Sequence, residues 1–281
     1  MQAGLPEAAR RRIWKAMSSL PAPRTYGALN LIGVWTLYVR EVRRFMKVLM
    51  QTVVGPVVST WLYMVVFVVA FGADRRMVEG VSLPDFLAPG LIMLAVLSNA
   101  FANSSSSLIV AKMQGNASDF LMPPLSAGEL TAAFVAGAVT RGVAVAVACA
   151  ASVAFYADVW PKDWLAAIYF TLAASVVFSA LGVIGGVWAD KFDHLAAVTT
   201  FVITPLTFLS GTFYSTQVLP EPFYTITHWN PVFYMIDGVR YGFTGHADGD
   251  LAIGAIYVGV LAVAGLVACW ALFRSGWKMK A

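Results

Sequence analysis

Long apolar stretches alternate with short polar ones along most of this chain. Uncharged windows cover Val48–Phe71, Phe86–Ala111, Trp164–Ala189, Leu195–Thr216 and Leu251–Phe273. A sixth, Ala133–Ala157, is interrupted only by Arg141. Each reaches the roughly 20 residues that a helix needs to cross hydrocarbon. Each must be helical there, because a lone strand would leave its backbone groups unpaired. The pattern predicts an all-α integral membrane fold: six transmembrane helices, an N-terminal amphipathic interfacial helix, and outer re-entrant helices before the last span.

The interfacial helix, placed at residues 29–47, is read from "VWTLYVREVRRFMKVLM", residues 34–50. Trp35, Val39, Val42, Phe45 or Met46, and Leu49 recur at helical spacing, while Arg40, Arg43, Arg44 and Lys47 take the other face. A basic amphipathic helix of this kind lies on the inner leaflet, drawn to anionic lipid, or acts as a lateral lever. Residues 1–28 are expected to be a retained cytoplasmic tail. They begin with a basic stretch but lack the roughly 7–15-residue apolar core of a signal peptide.

Charge changes the picture in one way: it orients the chain. Of the nineteen Lys and Arg residues, only Arg75, Arg76, Lys162 and Arg240 fall in loops opposite the termini. The positive-inside rule then puts both ends in the cytoplasm. The composition supports a membrane protein, with 59% hydrophobic and 12% charged residues and a mean hydropathy of +0.73. The cations flank apolar runs instead of forming an interleaved basic surface, which argues against nucleic acid. Cys149 and Cys269 fall inside apolar runs and read as small apolar side chains.

Several features could carry function. In the second span, Asn99, Asn103 and Ser106 or Ser107 share a helical face. In the fifth, Thr200, Thr204 and Thr207 do so, near Ser210. Such stripes serve interhelical hydrogen bonding or line a transport path. Span six has no stripe and is expected at the periphery. Arg141 lies roughly 9–15 Å into span three, within snorkelling reach of headgroups. The other reading is attraction of an anionic substrate headgroup. In the loop "KMQGNASDFLMPPLSAGE", Ser118 or Asp119 can cap a short helix that Pro123-Pro124 ends. Phe120, Leu121, Met122 and Leu125 then suit docking on a soluble partner or packing against the bundle. In the outer segment, Pro220 and Pro231 suit first helical turns and Asn230 suits an N-cap. It reads as two short helices broken at Asn230-Pro231, with Asp237 and Arg240 paired at i, i+3. Phe223, Tyr224, Trp229, Phe233, Tyr234, Tyr241 and Phe243 would lie at headgroup level, as an aromatic belt or an outer gate.

The chain has no phosphate-binding loop, nucleophile elbow or metal-ligand spacing, so no catalytic residue or metal is expected. The six windows hold no Asp or Glu, which weakens an ion-coupled carrier.

The stretch "FLSGTFYSTQVLPEPFYTITHWNPVFYMIDGVRYGF", with "SDFLMPPLSAGEL" upstream, resembles the ABC-2 type transporter permeases. Within them it is similar to the YadH-like, nodulation-factor-exporter and daunorubicin-resistance branch. The resemblance covers nearly the whole chain. Its most specific motif is the spacing of Asn230, Pro231, Tyr234 and Arg240. It implies a permease subunit of an exporter in the bacterial inner membrane, working as a dimer. Each copy would dock a separate ABC ATPase that holds the ATP and Mg; this chain carries no cofactor. Asp119–Leu125 matches the family's coupling helix, and Arg40–Lys47 its connecting helix. Spans one, two and five would line the path, and Pro220–Phe243 would close the exit. The chain is then one transmembrane domain over 1–281, with a bundle over 48–273 and a second short tail over 274–281. The expected cargo is a lipid, glycolipid or hydrophobic drug. The alternative is an ion-coupled efflux carrier without an ATPase.

Overall fold

A computed structural model describes Pro6 and residues 29–71, 77–78, 80–116, 119 and 122–278. Almost all of it is helical. In chain order the helices are α1 (Leu31–Met46), α2 (Gly55–Phe71), α3 (Leu83–Met113), α4 (Ala127–Val153), α5 (Trp164–Trp188), α6 (Phe192–Val198), α7 (Thr204–Leu209), α8 (Phe223–Trp229), α9 (Pro231–Thr244) and α10 (Leu251–Ser275). A π-helical segment, Met50–Val54, leads into α2, and a second, Thr199–Ile203, joins α6 to α7. Two antiparallel two-residue strands, β1 (Met77–Val78) and β2 (Val81–Ser82), precede α3.

Six helical stretches are long and apolar enough to cross a membrane: Met50–Ala70, Leu83–Met113, Ala127–Val153, Trp164–Trp188, Phe192–Leu209 and Leu251–Ser275. They correspond to the six windows read from the sequence. Local chemistry fixes where most of them begin. Asp163 caps α5 and Asp250 caps α10, each accepting a backbone N–H three residues on. Ser126 and Glu129 form a reciprocal capping box at α4. Gly245 and Gly276 end α9 and α10 in the left-handed conformation, which costs glycine no Cβ clash.

α3, α4 and α5 form the packed centre, joined by α9. Gly182 and Gly186 let α5 close onto α3: a Cβ at either would come within 2.4 Å of the Phe101 carbonyl or 2.8 Å of the Ser105 carbonyl. Small residues four apart are the usual way that helices approach closely in lipid, where hydrophobic burial no longer drives association. The first, fifth and sixth spans bury little of themselves. For span six this matches the peripheral position expected from its uniform apolarity. A hydrogen bond from Thr60 to Cys149, 3.6 Å, ties α2 to α4.

The two ends of the bundle are closed by different chemistry. At one end, Asp85 of α3 accepts from Asp158 N (2.6 Å), and Lys162 donates to the Thr244 carbonyl (2.9 Å). At the other, Lys112 donates to the Val187 and Ala189 carbonyls, both at 2.7 Å, and Lys278 donates to the Trp188 carbonyl at 3.1 Å. Two ammonium groups thus satisfy the orphan carbonyls at the C-terminus of α5, where the helix dipole is negative. Asp190 bridges both lysines, and its hydrogen bond to Lys278 holds its carboxyl below the ordinary value.

Candidate functional site: a polar junction between the interfacial helix and the bundle

The polar stripe of α3 does not face an empty path within the protomer. Two arginines and an acid from other helices occupy it. Arg44 of α1 donates to the Asn103 carbonyl (2.6 Å), Asn103 Oδ1 (3.1 Å) and Ser106 Oγ (3.0 Å). Ser107 donates to Glu41 Oε1 at 2.8 Å, and Glu41 pairs with Arg44 at 3.2 Å. One turn of α3 further from Met113, Asn99 Oδ1 accepts from Arg141 Nη2 (2.7 Å) and Nε (3.2 Å). Tyr38 and Thr140 add a hydroxyl pair at 3.0 Å between α1 and α4.

Sequence reasoning missed Glu41, whose side chain is fully buried. A signal existed: it is the only acidic residue between Glu7 and Asp74, placed in a run of arginines. Gly137 of α4 makes room for it, since a Cβ there would stand 2.6 Å from the Glu41 Cβ.

Two expectations need correction. Arg141 does not snorkel. It lies halfway along the 27 residues of α4, is 8% exposed, and turns onto Asn99. An inward acceptor within direct reach outcompetes headgroups a helical turn or more away. Nor does Arg44 of α1 lie with the exposed cations: it belongs to a polar face against the protein, apart from the apolar stripe expected toward the leaflet. Leu37, Glu41 and Phe45 are buried, whereas Trp35 and Met46 are exposed and Val39 and Val42 half-buried. The helix therefore has three sides. One is bolted to α3 and α4 through polar bonds, one is outward and apolar, and one carries the exposed Arg40 and Arg43. Arg44 belongs to the bolted side, not to the exposed cationic one.

In span five the threonine stripe divides. Thr207 is buried and bonded to the Ile203 carbonyl, while Thr200 and Thr204 are exposed. Thr204 donates to the Thr199 carbonyl five residues back, within the π-helical segment.

The loop after α3 is described in part. Asp119, Met122, Pro123 and Pro124 are exposed. Leu125 packs at the edge of a cluster that includes Leu108, Phe134 and Phe273. Ser118, Phe120 and Leu121 lie outside the described residues.

The segment between the last two spans has its break at Asn230-Pro231. Asn230 Oδ1 accepts from Val232 N (3.0 Å), and its Nδ2 reaches back to the Leu206 carbonyl (2.6 Å). The first helix starts at Phe223, after Pro222 instead of at Pro220. The aromatics divide too: Trp229 is 77% exposed, Tyr234 half-buried and Phe233 fully buried. So α8 presents an apolar face outward, and α9 is a core helix instead of part of a belt. Gly238 and Gly242 explain this. A Cβ at these positions would meet the Phe170 ring at 2.4 Å and the Ala167 backbone at 2.7 Å, so α9 lies directly on α5. Arg240, 1% exposed, donates to the Gly211 carbonyl at 2.6 Å and stacks 4.0 Å over Phe86. Asp237 stands 3.9 Å from Arg240 and accepts from the backbone of Asp248 and Gly249. Burial pushes the Asp237 carboxyl up, against the pull of Arg240 and of those two N–H groups. Asp248 in turn accepts from Ser215 and Thr216. The result is a latch that joins α9, the turn after α7, and the start of α3.

No group of three or more His, Cys, Asp or Glu among the described residues could hold a metal ion. The arrangement offers mechanical coupling between helices and a polar zone within the bundle.

The ABC-2 type transporter family model matches residues 33–244. The chain is 36% identical over 248 residues to the inner membrane transport permease YadH of Escherichia coli (strain K12), covering 88% of this chain and 97% of that protein. It is 26% identical over 254 residues to Nodulation protein J of Rhizobium leguminosarum bv. viciae, covering 88% and 92%. Nodulation protein J of Rhizobium meliloti (strain 1021) is 24% identical over 237 residues. A family match that runs from α1 to the end of α9 takes in both the polar junction and the Arg240–Gly211 contact, and this chain belongs to the ABC-2 type transporter family as a transport permease subunit.

Proposed function

We propose that this chain is the transmembrane subunit of an inner-membrane exporter that moves an amphipathic molecule: a lipid, glycolipid or hydrophobic drug. A separate ATPase supplies the energy and holds the ATP and Mg. The observation that carries the reading is the bolting of α1 to α3 by Glu41–Ser107 and Arg44–Asn103. A force on the cytoplasmic side of α1 reaches the transmembrane helices without slack, because hydrogen-bonded charges cannot slide past one another cheaply.

In this reading both termini are cytoplasmic, as the lysine and arginine distribution favours. The Asp119–Leu125 loop, in which Asp119, Met122, Pro123 and Pro124 are exposed, receives the ATPase together with Arg40 and Arg43. Two copies assemble, and the little-buried first and fifth spans, with Thr200 and Thr204 of the fifth, face the shared path. Thr207 and the α3 stripe of Asn99, Asn103, Ser106 and Ser107 shape the wall from inside each copy. Trp229, Asn230, Pro231, Tyr234, Asp237 and Arg240 form the outer gate, held shut by the latch. Residues 1–281 then act as one transmembrane domain.

The test is co-purification of an ATPase from native membranes in mild detergent, comparing the wild type with Phe120→Asp. The expected result is loss of the partner from a variant that still elutes as a folded protein. Undiminished co-purification would remove the loop from the coupling role.

A further inference from the structure

The junction holds more donors than acceptors. Arg141 commits Nε and Nη2 to a single amide oxygen, Asn99 Oδ1, and among the described residues no carboxylate bonds it. The Asn103 amide nitrogen is buried without a partner. Arg44 of α1, bonded to the next turn of α3, adds a second guanidinium within electrostatic reach of the first. Glu41, the one carboxylate of the cluster among the described residues, is already taken by Ser107 and Arg44. Arginine does not escape burial by giving up its proton, so a cation halfway along a membrane helix calls for an acceptor from outside. The Arg44 side chain is 30% exposed, so the cluster opens beside α1, whose outward face carries Trp35, Val39 and Met46.

We propose that Arg141, Asn103 and Arg44 form a binding site for the phosphate or carboxylate headgroup of an anionic amphiphile that enters from the membrane beside α1. The inference rests on the reading of the α3 stripe as part of a transport path, and it narrows the cargo to anions. The acyl part would lie along the apolar outer side of α1, and the headgroup would take up the unused donors. Charge-assisted bonds to two guanidinium groups are the strong kind, and Arg suits planar or tetrahedral oxyanions.

The experiment uses the purified full chain and native mass spectrometry to count retained phosphatidylglycerol against phosphatidylcholine. A parallel arm adds inorganic phosphate and follows thermal unfolding. The variants are Arg141→Gln, Asn99→Asp and, as a control, Arg274→Gln, a cation stacked on Trp270 at the far end of α10. Asn99→Asp keeps an acceptor for Arg141 and supplies the missing anion in place, so folding is retained while the site is filled. The expected result is a phosphatidylglycerol preference of about tenfold, the size that one good charged contact gives. It is lost in Arg141→Gln and Asn99→Asp and kept in Arg274→Gln. A preference that survives Asn99→Asp, falls equally in Arg274→Gln, or is absent from the wild type overturns the proposal. Stabilisation by inorganic phosphate with no lipid preference would replace the amphiphile by a free anion. ATPase co-purification, read on the same membranes, separates this site from the exporter reading: either can fail while the other stands.

Discussion

Glu41 and Ser107 are joined by a 2.8 Å hydrogen bond across 66 residues of sequence. Through that bond and the neighbouring Arg44–Asn103 contacts, α1 becomes part of the bundle. Removing the acid leaves Arg44 without its only carboxylate partner among the described residues. Glu41→Ala is expected to destabilise the protein by about 3 kcal/mol, the cost of breaking a buried charge pair from one side. Glu41→Gln, which still accepts from Ser107, should lose less. Thermal unfolding in detergent measures both, and equal losses would show that the charge alone, and not the acceptor offered to Ser107, matters there.

In the α9 latch, Arg240 reaches two backbone carbonyls, those of Gly211 and Phe86, while stacking on the Phe86 ring. A lysine cannot reproduce a planar fork. Arg240→Lys is expected to cost about 1–3 kcal/mol and to speed amide hydrogen exchange over residues 210–218. Exchange at the wild-type rate would show that the turn after α7 does not depend on this side chain.

The contact of α9 with α5 is steric. Gly238→Ala drives a methyl to 2.4 Å from the Phe170 ring and is expected to cost about 1–3 kcal/mol. Phe170→Leu in the same chain should recover part of that loss. A double-mutant cycle in unfolding free energy tests it, and strict additivity would contradict the direct contact.

Asp190 gives the pH dependence. Its hydrogen bond to Lys278 lowers the folded carboxyl below 3.8. A lowered pKa contributes stability that is present above the unfolded value and lost as pH falls through the folded one. The Tm advantage of the wild type over Asp190→Asn should therefore be constant near neutrality and shrink below about pH 4. Because Asp190 is exposed, the advantage is small. An advantage that grows on acidification would contradict the pairing.

Much of the fold was legible because a bilayer leaves few options: uncharged windows of sufficient length become helices, and Asn230-Pro231 breaks one. What the sequence hid was which side each helix turns inward. Periodicity marked Trp35, Val39 and Met46 as one stripe but could not say that a different stripe, centred on Glu41, meets the protein. A buried acid is unreadable until its donor, Ser107, and its clearance, Gly137, are seen to converge. Arg141 was ambiguous for the same reason, because Asn99 lies on another helix. The burial of Phe233 was hidden because Gly238 and Gly242, the residues that sink α9 onto α5, carry no polarity signal.

The most direct test of the account is purification of the tagged chain from its native membrane in mild detergent, with partner identification and an ATPase assay. The account predicts a stoichiometric phosphate-loop ATPase and hydrolysis that continues when a protonophore is present. A folded permease that purifies with no nucleotide-hydrolysing partner, and whose transport collapses with the proton gradient, would contradict it.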